Sequence, residues 1–298
     1  MPLSIASRLL RWYDTHGRDL PWRKTRDPYR IMVSEIMLQQ TQVSRGLIFY
    51  DRWLRQFPDW RALAKASNAD VIKAWAGLGY NRRALMLRDI ARSVVENGVP
   101  STERGWHELK GIGPYTAAAI SAFASRQRTL PIDTNIRRVL GRLLFGTTYP
   151  QPTIDDKIRA NVDRVLPTRG RFYDVPQAIF DLATTHCTKV PTCASCPMRG
   201  VCPAASKFLS GRVRVPKQMV KKAVESRHRH KRFPDRIYRG RILKLVRENG
   251  TVALDEIGPA VDAGYDQKHD REWVVSMVER MIADRLIRRF QDGRVSLS

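Results

Sequence analysis

Two carboxylates, a glycine-bearing turn and four cysteines are the residues of this chain whose types and spacing could do chemistry. Glu35 lies in VSEIMLQQTQV, flanked by Val33, Ile36, Met37 and Leu38, with Gln39 one helical turn later on the same face and Gln40 beside it. A glutamate in such apolar company either sits at a helix edge or is held with a raised pKa, as a general acid is. Asp133, in LPIDTNIRRVL, follows an apolar segment at an expected helix start, where its plain role is that of an N-cap. In ELKGIGPYTAAAI, Gly111 and Gly113 are expected to turn the chain with positive φ between two helices. The amide N–H groups at the start of the second helix, near Tyr115 and Thr116, then face outward and suit one phosphate of a strand. The pattern lacks the Gly-Lys-Ser/Thr ending of a Walker loop. The cysteines run Cys187-x5-Cys193-x2-Cys196-x5-Cys202. Four thiolates in so short a loop hold either tetrahedral zinc or a cubane 4Fe–4S cluster, and spacing alone leaves both open.

The elements that must position these groups read as helices over the first 205 or so residues. Apolar residues recur at three- and four-residue spacing in IMVSEIMLQQTQVSRGLIFYDRWLRQF, RALAKASNADVIKAWAGL, RRALMLRDIARSVVENG and IDTNIRRVLGRLLFG. Gly and Pro punctuate them at FPDW, GLGYN, NGVPS, KGIGP and TTYPQP. Residues 207–234 read as a basic linker able to lie along phosphates, with ten Lys/Arg and one acidic residue between Lys207 and Arg232. Beyond it, RIYRGRILKLVREN and REWVVSMVERMIADRLIRR read as helices and RRFQDGRVSLS as a hairpin, the outline of a small winged-helix-like domain over 235–298. Trp22, Trp53, Trp60 and Trp75 read as core, and His16, His186, His228 and His230 carry no ligand pattern.

Charge narrows the class of partner. Against 29 Asp and Glu stand 53 Lys and Arg, a net charge of +24, which implies a polyanion, nucleic acid ahead of an anionic membrane. No apolar run reaches the length of a membrane span, and the first residues lack the apolar core and cleavage site of a secretory signal. A cytoplasmic, nucleoid-associated monomer is expected, in a reducing compartment where crowded cysteines bind metal rather than pair as disulfides.

Taken together, LPWR, SEIMLQQTQV, GLGYNRRA, LKGIGPYTAAAI, DTNIRRVL and the ordered cysteines resemble the helix–hairpin–helix DNA glycosylases of the endonuclease III superfamily, over residues 1–206. Within it, LPWR with SEIMLQQTQV and GLGY resembles the MutY-type adenine enzymes. The resemblance implies an all-α, two-lobed glycosylase fold with an iron–sulfur loop at 187–202, and double-stranded DNA carrying a mismatched or damaged pair as partner. It implies Glu35 as the acid that protonates the base and Asp133 as the carboxylate that stabilises the sugar cation, with Tyr115 beside the sugar. Arg18, Trp22, Leu38 and Asp181 would line the base pocket; Gln40, with Gln39 and Thr41, would fill the gap left by a flipped base. Lys110, Gly111, Gly113, Tyr115, Thr116 and, at the tip of the cysteine loop, Arg199 would touch phosphates. The resemblance favours the 4Fe–4S cluster over zinc.

Cleaving an N-glycosidic bond needs a proton donor on the base side and a negative charge on the sugar side, which two carboxylates in opposed environments supply. Strand-cutting members of the superfamily carry a lysine where this chain has Tyr115, so base removal without strand cleavage is expected. The chain departs from the MutY pattern at three places: Asp181 stands where glutamate is usual, Asn81 where a second tyrosine is common, and the first cysteine gap is one residue shorter. Asp181 and Asn81 also resemble the thymine mismatch glycosylases, a second reading of the substrate. No Nudix-like C-terminal domain is apparent, and the tail resembles that of certain archaeal relatives. A DNA-binding regulator without catalysis is the reading from a different class, and pairing Glu35 with Asp133 argues against it.

Overall fold

The computed structural model describes residues 4–216, 225–229 and 231–298. Part of the basic linker, 217–224 together with His230, lies outside them. The chain begins with α1 (Ile5–His16), whose Ser4 side chain accepts from the Ser7 amide, and after a short 3-10 turn (Pro21–Arg23) enters α2 (Pro28–Leu38). The long apolar stretch expected as one helix from 31 to 57 is two, because the backbone leaves α2 at Gln39 and restarts as α3 (Val43–Gln56). The next stretch also divides, into α4 (Trp60–Lys65) and α5 (Asn68–Ala74), where the Ser67 hydroxyl caps a new start. Then come α6 (Arg82–Asn97), α7 (Glu103–Glu108), α8 (Pro114–Phe123), α9 (Thr134–Phe145), α10 (Asp155–Ala160), α11 (Asp174–Thr185) and α12 (Pro203–Leu209).

The C-terminal part carries α13 (Asp235–Asn249), β1 (Thr251–Ala253), α14 (Leu254–Val261), α15 (Gln267–Ala283), β2 (Ile287–Arg289) and β3 (Arg294–Leu297). Its antiparallel sheet has the order β1-β3-β2, with Val252 opposite Val295 and Ile287 opposite Leu297. Strand β2 takes up the end of the stretch expected as helix through 289, since Arg285 at φ 57° turns the chain out of α15. His228, expected in an exposed linker, instead stacks on Trp273 with ring centroids 4.9 Å apart and meets Asp270 at 3.2 Å.

The chain divides into two compact units, one of residues 1–35 with 100–219 and one of 36–99 with 220–298. In the first, α1, α9 and α11 close around Leu9, Ile136, Leu140, Ile179 and Leu182, and Cys187, Cys196 and Cys202 pack against that core. In the second, Trp53 and Trp75 are buried edge to face with centroids 5.2 Å apart. Trp60, in contrast, is part-exposed.

Candidate active site

Three ionisable side chains of the first unit lie within electrostatic reach of one another. Tyr115, in the first turn of α8, donates its hydroxyl to Glu35 Oε2 at 2.9 Å. Burial among the apolar residues of α2 pushes the Glu35 carboxyl up to about 7; the Tyr115 bond opposes the rise, Asp133 adds to it and Arg23 opposes it. The expectation of an acid held with a raised pKa therefore has its physical cause in desolvation. Tyr115 is itself driven well above its ordinary value, by burial and then by Glu35 and Asp133, so it stays a neutral donor.

Asp133 is the N-cap of α9, its plain role. Its Oδ1 accepts from the amides of Asn135 (2.8 Å) and Ile136 (2.7 Å), and its Oδ2 from the Asn135 side chain (2.8 Å). Its pKa is raised, because burial outweighs the opposing pull of those bonds. The cap is also the second carboxylate of the site, because it lies within electrostatic reach of both Glu35 and Tyr115.

Asp181 has a different place from the pocket wall expected of it. Its buried carboxylate accepts from the Arg18 amide (2.8 Å), Arg18 Nε (2.6 Å), Arg23 Nη1 (2.7 Å) and Arg23 Nη2 (2.8 Å). Both oxygens are spent on arginines, which leaves no free edge to offer a base. Burial would raise the carboxyl, yet those bonds hold it below its ordinary value. Asp181 thus fixes Arg23, which in turn acts on Glu35; the sequence motif had drawn attention only to Arg18 and Trp22. Trp22 is buried in the 3-10 turn between them.

The hairpin between α7 and α8 turns on one glycine. Gly111 has φ 96°, whereas Gly113, expected to share the positive φ, is an extended N-cap at φ −81°. A Cβ at Gly113 would meet nothing within 4 Å, so the protein's own packing does not require glycine there. Lys110, Gly111 and Gly113 are exposed, and Ile112 anchors the turn in the core. Thr116 is buried, so only its first-turn amide, and not its hydroxyl, can serve a phosphate. Arg199 is exposed on the cysteine loop.

The four cysteines form no disulfide and are part-buried. Burial lifts the thiols of Cys193, Cys196 and Cys202, and these three also feel one another and Cys187, which places four soft donors around one locus. Two arginines of α9 hold the loop: Arg142 Nη1 donates to Cys187 Sγ at 3.4 Å and to Thr188 O at 2.7 Å, and Arg138 Nε to Cys187 O at 2.7 Å. Among the described residues no three His, Cys, Asp or Glu side chains are drawn to metal-ligating distance. The donor set, all sulfur, fits a thiolate-bound metal or cluster.

In the second unit, Leu38 ends α2, Gln39 and Thr41 are part-buried, and Gln40 is exposed at φ 57°. A residue to which the sequence reading gave no role makes this turn. Arg83, buried on α6, donates Nη1 to Ile36 O (2.8 Å) and Gln39 O (2.5 Å), and Nη2 to Gly79 O (3.1 Å). One guanidinium thereby satisfies the open carbonyls at the end of α2 and ties them to the GLGY turn, where exposed Tyr80 has φ 50°.

Residues 33–163 match the family described as HhH-GPD superfamily base excision DNA repair protein. An adenine DNA glycosylase of Mycolicibacterium smegmatis is 33% identical over 297 residues, covering 97% of this chain and 94% of that protein. The chain belongs to this adenine DNA glycosylase family of the HhH-GPD superfamily. The family expected from LPWR, SEIMLQQTQV and GLGY is thus the family found. The adenine DNA glycosylase of Mycobacterium tuberculosis is 40% identical over 197 residues, which cover 64% of this chain. The chain spans only 65% of that relative's length. Among solved structures, a thermostable thymine-DNA glycosylase superposes with a TM-score of 0.61 at 28% identity, covering 68% of this chain and 95% of that one.

Proposed function

We propose that this family member is a base-excision DNA glycosylase that removes adenine mispaired with 8-oxoguanine or guanine from double-stranded DNA. The observation that carries the reading is the pair of buried carboxyls with different hydrogen bonding: Glu35 at a pKa of about 7 under the Tyr115 hydroxyl, and Asp133, also raised by burial, but countered by two amides and a carboxamide. Protonated Glu35 gives its proton to a ring nitrogen of adenine, so the purine leaves neutral as the N-glycosidic bond breaks. Ionised Asp133 faces the cationic sugar that results. Water adds at C1′, and the proton it loses returns to the Glu35 carboxylate. With tyrosine at 115 no amine stands beside C1′, and strand cleavage is not part of the reaction.

The phosphate surface comprises Lys110, Gly111, Gly113, the amides of Tyr115 and Thr116, and Arg199; the open space above Gly113 supports close approach of a strand. Cys187, Cys193, Cys196 and Cys202 would hold a 4Fe–4S cluster, which would brace the loop bearing Arg199. Residues 1–206 form the glycosylase domain in this reading, 207–234 a basic connection, and 235–298 a winged-helix-like domain, supported by its α-β-α-α-β-β order.

The test is single-turnover cleavage of duplexes carrying A opposite 8-oxoG, A opposite G, T opposite G and U opposite G, with alkali to reveal abasic sites. Fastest release is expected for A opposite 8-oxoG or G. A faster rate on T or U opposite G would replace adenine by thymine or uracil, thymine being the base named for the thermostable relative. Iron and sulfide analysis of anaerobically purified protein checks the cluster, and a single zinc without iron refutes it.

A further inference from the structure

The turn that leaves α2 and the turn that enters α6 each hold a residue other than glycine in the left-handed region, Gln40 at φ 57° and Tyr80 at φ 50°. Such residues persist only where their surroundings over-determine them. A crossed pair of arginines does so here. Arg83, on the helix that follows the second turn, reaches back to Gln39 O in the first and also donates to Gly79 O, which accepts in addition from Trp75 Nε1 at 3.0 Å. Its guanidinium lies 5.3 Å from the Trp75 ring centre and 5.4 Å from that of Tyr80. Arg45, on the helix that follows the first turn, makes the return tie, donating Nη2 to Gly77 O in the second.

The return tie has its own support. Gly77 has φ 104°, and a Cβ there would stand 3.0 Å from Phe49 Cζ, so glycine serves both the backbone and its close approach to that ring. Arg45 lies 5.9 Å from the centre of the same ring, which holds its stem while the fork reaches Gly77. Arg52 sits over the ring as well, at 5.6 Å, yet donates to neither turn among the described residues.

From this geometry we infer that Arg45 is a positioning residue for base extrusion: together with Arg83 it locks the turns at 39–42 and 77–81 into one stiff wedge. The inference rests on the glycosylase reading, in which Gln40 fills the place of the flipped base. Extrusion costs the duplex its pairing and stacking at that step. A wedge that must first order its own turns adds their conformational entropy to the cost, and a wedge tied from both sides does not. Arg45 acts through Gly77 O and touches neither base nor sugar in this role.

In the experiment, 2-aminopurine replaces the adenine opposite G, its fluorescence rises as it leaves the stack, and full-length protein saturates the duplex. Arg45→Met keeps a stem over Phe49 and removes the donor. It is expected to slow the fluorescence rise about fivefold, the weight of one exposed hydrogen bond, and to slow single-turnover adenine release in step. Duplex Kd is expected to stay within about twofold, with its salt dependence unchanged. Arg45→Lys can still donate to Gly77 O and is expected to recover most of the rate. Arg52→Met, which removes the same charge from the same ring, is expected to extrude as wild type does. Arg45→Met that extrudes at the wild-type rate overturns the inference, as does equal slowing by Arg52→Met. A loss confined to Kd, with the salt slope falling by about one, makes Arg45 a phosphate contact and overturns it too. So does wild-type protein that raises no fluorescence. Wild-type protein that extrudes the base but releases no adenine overturns the adenine reading alone, so the two failures are told apart.

Discussion

Asp133 and Gln40 both sit where a helix meets a turn, and the backbone treats them in opposite ways. Asp133 starts α9 at an ordinary extended φ of −112° and is held by the helix it caps, through the amides of Asn135 and Ile136. Gln40 follows the end of α2 at φ 57°, a conformation that costs a non-glycine residue of order 1 kcal/mol, and the carbonyls around it are held by Arg83 from another helix. A helix N-terminus can fix a functional side chain with residues two and three positions away. A C-terminus that must present a side chain in the left-handed region needs an outside support.

The largest expected effects lie at the self-supported end. Asp133→Asn keeps a good cap but removes the charge, and Glu35→Gln keeps the shape but removes the proton; each is expected to slow single-turnover adenine release by about 10²-fold or more with duplex binding retained. Wild-type turnover by either variant would dissolve the assignment of that carboxyl. At the externally supported end, Arg83→Lys keeps the charge but cannot bond Gln39 O and Gly79 O together in the fork geometry. A loss of about tenfold is expected on paired adenine, from a weakened hydrogen bond to a charged group, with little loss on an adenine already displaced in a bulge. Equal loss on both substrates would mean that Arg83 only stabilises the fold.

The smallest effect sharpens the comparison at the acid itself. In the proposed reaction Glu35 acts in its protonated form, so release is expected to hold steady below its pKa of about 7 and to fall about tenfold per unit above it. Tyr115→Phe deletes the hydrogen bond that stabilises the charged carboxylate, which moves that alkaline limb to higher pH. A limb that moves to lower pH, or stays fixed, would assign the titration to another group.

How much of this was legible in the sequence follows from how far each support reaches. Asp133 announces itself, because the residue it caps is its own neighbour. Glu35 is legible through its apolar flanks, and the α7–α8 turn through Gly111. The clamp on Asp181 is not, since its arginines stand 163 and 158 residues away along the chain. Nor is the break after Leu38, where neither glycine nor proline interrupts the apolar pattern and the capping guanidinium comes 44 residues later. Strand β1 has three residues, too few for an alternation to register before the pairing with β3 is known.

Holding an acid at a pKa of about 7 also has a cost in stability. Relative to its ordinary value of 4.5, the native state binds the Glu35 proton more tightly than the unfolded chain does. Folding is therefore unpenalised below the unfolded pKa, loses stability as pH rises between the two values, and above about 7 bears the whole cost, roughly 3 kcal/mol. That is a large share of the margin of an ordinary domain. Glu35→Gln should accordingly melt at a higher temperature than wild type at pH 8, with the advantage shrinking toward pH 5. The protein that cannot release a base should be the sturdier one.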